Sequence, residues 1–164
     1  MFHAVWGTGI DDLWVIATVE TSPYQSSILH FDGTAWTKAT EVSGWLTGVW
    51  GSSATDVWAV GSTATTDYLL QTGGSGLLLH WDGTSWSNVP ITADPLWAVF
   101  GTSSSDVWAT AYSVGTGGQA VLHWDGATWT SLDYGSDVFL RSIAGNSTDL
   151  WFAGFLGPTL HYRR

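Results

Sequence analysis

Leu79-His80-Trp81-Asp82-Gly83-Thr84-Ser85-Trp86 decides the fold, because the same phrase stands at Leu29-His30-Phe31-Asp32-Gly33-Thr34-Ala35-Trp36 and at Leu122-His123-Trp124-Asp125-Gly126-Ala127-Thr128-Trp129. A fourth copy opens at Leu160-His161-Tyr162. Each follows a second phrase, fullest as Trp50-Gly51-Ser52-Ser53-Ala54-Thr55-Asp56-Val57-Trp58, with counterparts ending at Trp14, Trp108 and Trp151. The sequence is a tandem array of one unit, with a period of about 40–50 residues, which is the range of propeller blades.

Within a unit the pattern predicts four short strands. Leu46 to Trp50 is the first, matched by Phe2 to Trp6, Leu96 to Phe100 and Leu140 to Ala144. The small residue in its middle, Ala4, Gly48, Ala98 or Ser142, suits an innermost strand that neighbours approach closely. Val57-Trp58-Ala59-Val60 is apolar throughout, as a strand buried on both faces should be. Leu77 to Trp81 then meets a fourth strand near Ser85-Trp86 across Asp82-Gly83, a dipeptide that suits a two-residue type I′ hairpin. Helical periodicity is absent.

The expected fold is therefore all-β: a β-propeller of four-stranded antiparallel blades, about four in number, the last lacking its fourth strand. Residues 1–164 form a single domain with units 1–44, 45–95, 96–138 and 139–164. Thirteen Trp provide the large flat side chains that blades need between them. A β-sandwich is the alternative, but it does not require strands to repeat in sequence. With a three-stranded last unit, either four blades close alone or two chains combine into a ring of eight, and the edge at Leu160 to Tyr162 offers a route to a homo-oligomer.

The paired phrases Trp-Gly-Ser-Ser-x-x-Asp-Val-Trp and Leu-His-Trp-Asp-Gly-x-x-Trp resemble the repeats of bacterial, myxobacterial-type secreted or surface β-propellers. They are also distantly similar to the Asp-box of sialidase-like propellers, one residue shorter from Asp to Trp. The resemblance implies a propeller and carries scarcely any implication about activity.

Composition narrows the function. Acids number 14 against the four cations Lys38, Arg141, Arg163 and Arg164, and the formal charge of −10 opposes nucleic acid and anionic membranes. No apolar run is long enough for membrane insertion. No signal peptide opens the sequence, and the Gly, Ser, Thr and Trp richness with little Lys suits an extracellular or cell-surface protein. There is no Cys, hence no disulfide and no thiolate metal site.

The repeated polar residues read as structural. His30, His80, His123 and His161 fall on separate blades, too far apart to share a metal, and each is expected to bond a neighbouring loop or blade. Asp32, Asp82 and Asp125 belong to hairpin turns, and Asp12, Asp56, Asp106 and Asp149 to capped turns before the second strand. No cofactor is implied. Neither a nucleophile elbow nor a phosphate-cradling loop is present, and Arg141 with two terminal arginines is a poor inventory for a sialidase.

Binding is expected where units differ, in the connections at residues 18–27, 37–45, 62–76, 88–95, 112–119, 131–138 and 155–158. Those segments carry Trp45, Tyr112 and Tyr134 among acids. At the channel mouth His3, Thr47, Trp97 and Arg141 occupy equivalent positions and differ completely. These seven are the candidate ligand contacts. The reading is a non-enzymatic module that engages a glycan or protein through its loop face; a structural unit that oligomerises or completes a larger ring is the alternative, and a polysaccharide hydrolase the third.

Overall fold

The structure, a computed structural model, describes residues 1–19, 23–63, 74–111, 121–132, 139–155 and 159–163. These form four antiparallel sheets, each a meander in sequence order. Blade 1 consists of β1 (Phe2–Gly9), β2 (Asp12–Val19), β3 (Gln25–Phe31) and β4 (Trp36–Ser43). Blade 2 consists of β5 (Trp45–Ser53), β6 (Asp56–Ser62), β7 (Gly76–Trp81) and β8 (Trp86–Asn88). Blade 3 consists of β9 (Leu96–Ser103), β10 (Asp106–Ala111), β11 (Val121–Trp124) and β12 (Trp129–Leu132). Blade 4 has three strands among the described residues, β13 (Phe139–Gly145), β14 (Asp149–Phe155) and β15 (Leu160–Arg163).

Burial follows from the repeat. β6 and β10 are the second strands of inner blades, and apart from Asp56 every residue of both is buried. Between blades 1 and 2, Trp14, Ile16 and Ile28 pack with Leu46, Val49, Ala59 and Leu79. Between blades 2 and 3, Trp58, Val60 and Leu78 pack with Leu96, Ala109 and Leu122. Close approach near the axis rests on small residues: a Cβ added to Gly48 would lie 3.3 Å from the Trp97 carbonyl oxygen and the Val99 nitrogen on the next inner strand. At Gly51 a Cβ would meet the Trp6 ring at 2.6 Å, and at Gly101 the Trp50 ring at 2.5 Å, so Trp6 and Trp50 each lie over a glycine of the following blade.

Two local expectations are corrected. The hairpin between the outer strands is a four-residue loop, not a two-residue type I′ turn: Phe31 pairs with Trp36, Trp81 with Trp86 and Trp124 with Trp129. Gly33, Gly83 and Gly126 still take φ values of 90, 91 and 96°, which keeps glycine at the second loop position. The Asp before it stabilises the wider loop, since Asp82 Oδ1 accepts hydrogen bonds from the N–H groups of both Thr84 and Ser85 at 2.8 Å. Most of the segment at 37–45 is strand rather than loop; β4 runs to Ser43, and Glu41 on it pairs with Lys38 at 2.9 Å.

The inner strands pack in series, β1 on β5, β5 on β9 and β9 on β13, and among the described residues no comparable packing joins β13 to β1. The four blades form an open arc.

Candidate functional site

Each blade carries one polar cluster at the entrance to its second strand. His80 Nε2 lies 2.6 Å from Asp56 Oδ1, and the equivalent pairs are His30 with Asp12 at 2.7 Å, His123 with Asp106 at 2.9 Å and His161 with Asp149 at 2.8 Å. Each imidazole lies over the Trp of the same second strand, with ring centroids 3.9–4.1 Å apart. The Asp also accepts a hydroxyl hydrogen bond, from Thr8 to Asp12 at 2.6 Å, and from Ser52 to Asp56 and Thr102 to Asp106. These acids therefore fix a histidine and a hydroxyl, not only a turn, and the histidine's partner lies in its own blade. Burial raises the Asp12 carboxyl, but the hydrogen bonds from Thr8 and His30 outweigh it and the net shift is downward. Four copies of one arrangement serve the fold. Among the described residues no group of three His, Asp or Glu is placed to hold a metal ion.

The residues that differ between blades lie at the starts of the inner strands, on the face where each fourth strand passes to the next first strand. Ser26, buried, holds that junction in blade 1: its hydroxyl donates to Gly44 O and accepts from Leu46 N–H, both at 3.0 Å. Trp45 follows immediately and is only 4 % exposed, so its ring is a pillar of the mouth and not an open platform. His3 meets it edge-on at 4.6 Å and Tyr24 at 5.0 Å. Thr47 is also a strut, its hydroxyl within 3.3 Å of the Val60 and Leu96 carbonyl oxygens and so bridging blades 2 and 3.

Trp97 and Arg141 are brought together on neighbouring inner strands. The Arg141 guanidinium carbon lies 4.3 Å from the Trp97 ring centroid, a cation–π arrangement worth about 0.5–1 kcal/mol at an exposed site. Arg141 is exposed, and among the described residues no carboxylate pairs with it. Tyr112 and Tyr134 lie outside the described residues. Sequence reasoning missed a second surface. Phe2, His3, Ala4, Val5, Val15, Leu29 and Trp36 line a largely apolar groove of about 640 Å³ on the outer face of blade 1. Its signal is the equivalence of Val5 and Trp36 with Val49 and Trp86 in the next blade, which lie in a core.

No protein-family model matches the chain. No curated protein matches it either. Among solved structures it is similar to one titled "YCF48 bound to D1 peptide", with a TM-score of 0.57 and 15% sequence identity over 99% of this chain and 53% of that one. The fold is that of a β-propeller. The chain spans about half the length of that similar structure.

Proposed function

We propose that this chain is a non-enzymatic propeller module that binds an extended peptide segment of a protein partner at the mouth formed by the inner-strand starts, acting outside the cell. The observation that carries the reading is the Arg141 guanidinium laid on Trp97, an exposed cation without a carboxylate partner among the described residues. A guanidinium held over an aromatic ring offers several N–H donors to main-chain carbonyls, while the edge of Trp97 accepts an apolar side chain. The net charge of −10 favours a neutral or basic peptide in the approach, because an acidic one is repelled before contact. Supporting the ligand class, the similar propeller was solved with a peptide bound.

The experiment is selection from a random peptide library followed by affinity measurement with the purified chain. Arg141→Ala and Trp97→Ala should each weaken a selected peptide by tenfold or more with an unchanged far-ultraviolet circular dichroism spectrum. Affinity that survives both substitutions overturns the site. A glycan-array signal dependent on Trp97, with no peptide selected, transfers the same mouth to a sugar ligand.

A further inference from the structure

Each of the three interblade junctions sets a second-strand Trp against outer-strand aromatic rings of the next blade. Trp14 of blade 1 meets Trp81 and Trp86 of blade 2 at 5.2 and 5.4 Å, and Trp58 of blade 2 meets Trp124 and Trp129 of blade 3 at 5.4 and 5.2 Å. Trp108 of blade 3 meets Tyr162 of blade 4 at 5.1 Å. At two junctions a second-strand Trp thus enters a clasp of two outer-strand rings on the next blade, and at the third it meets one. Both halves of this junction stand open at the two ends of the arc. Trp151, the fourth second-strand Trp, is 49 % exposed where its three equivalents are 1, 2 and 1 % exposed. At the other end, Phe31 and Trp36 form the clasp of blade 1, with ring centroids 5.2 Å apart, as Trp81 and Trp86 do at 6.1 Å and Trp124 and Trp129 at 5.9 Å. Trp36 is 50 % exposed, and Val5 is 66 % exposed where its equivalent Val49 is 8 %.

We infer that a second copy of this chain covers both faces, blade 4 of each copy packing on blade 1 of the other to close a ring of eight blades. Continuity with the three existing junctions supports this occupant, since the exposed groove holds the same positions that receive a preceding blade in blades 2 and 3. Size compensation supports it further. Blade 4 presents Ala153 and Thr159 where blade 1 has Ile16 and Ile28 and blade 2 has Val60 and Leu78. Blade 1 in turn presents Phe2 and Val15 where blades 2 and 3 have Leu46, Leu96, Ala59 and Ala109. At these positions the smaller side chains of blade 4 stand opposite larger ones on blade 1. Two identical head-to-tail contacts related by a twofold axis leave neither face open, so the assembly stops at two copies. The inference is independent of the peptide-binding reading.

Sedimentation equilibrium over a wide concentration range tests it. The wild-type chain should reach twice 17.6 kDa and no more. Val5→Glu and Trp151→Glu each place a charge on one of the two open faces; each alone should stay at 17.6 kDa with an unchanged far-ultraviolet spectrum. Mixed in equal amounts, they retain one sound pair of faces and should show a heavier species than either variant alone. A wild-type monomer at every concentration overturns the inference, because the faces are then covered by something else. A dimer that survives Trp151→Glu overturns it in favour of blade 1 pairing with itself, and a mass that climbs past two copies overturns the closed ring.

Discussion

At the residue scale, one short polar side chain sets each local geometry. Asp32 and Asp82 are lowered from an ordinary 3.8 to about 2, first by the hydroxyls of Thr34 and Thr84 and then by backbone N–H groups. Asp149 is lowered to about 2 by the hydroxyl of Thr148, then by His161 and Arg163. A carboxylate whose folded value lies below its unfolded one adds stability above the unfolded value and loses it as the pH falls toward the folded value. The melting temperature should therefore carry the full contribution of these three groups above about pH 4, and fall as the pH drops from 3.8 toward about 2. Asp82→Asn should flatten part of that fall while leaving its neighbours' contribution. Thermal melts of both proteins across that window provide the check, and identical slopes would remove Asp82 from the account.

At the scale of the element, the same residue type carries a different load according to which blade lies beyond it. Trp58 and Trp151 stand at equivalent positions on β6 and β14, each stacked on the histidine of its own blade. Trp58 also fills the junction with blade 3, whereas Trp151 faces outward. Removing a fully buried Trp costs about 3–5 kcal/mol through lost burial and the cavity left behind. Trp58→Ala should lower the urea midpoint by that equivalent, and Trp151→Ala should cost much less in the isolated chain. Equal losses for the two would mean that the intrablade histidine stack, and not the interblade clasp, is what each Trp supplies.

At the scale of the whole molecule, an arc with two open apolar faces has its weakest contacts at its ends, because each blade is stabilised mainly by its neighbours. In the eight-blade ring inferred above, folding and assembly are linked by mass action, so the melting temperature should rise with protein concentration. It should be independent of concentration for Trp151→Glu. Differential scanning calorimetry at several dilutions separates the two behaviours.

The sequence by itself determined the blade. Near-copies of two phrases, an all-apolar second strand and an Asp-Gly before each outer Trp specify a four-stranded unit and its period, because strand alternation and turn residues act over a few positions, whereas the loop length, four residues and not two, came from the structure. The varied positions His3, Thr47, Trp97 and Arg141 were also legible, since residues aligned by the repeat share a place on the inner strand. Only the tertiary structure decided what each does there. Thr47 bonds across a blade junction, Trp45 sinks into the core, and Arg141 finds Trp97 on the next strand over. Such contacts join residues tens of positions apart, and no local pattern encodes them. The same holds for the open arc: Trp14 and Trp151 read alike in the repeat, and the presence of a following blade against one and not the other makes the first core and the second surface.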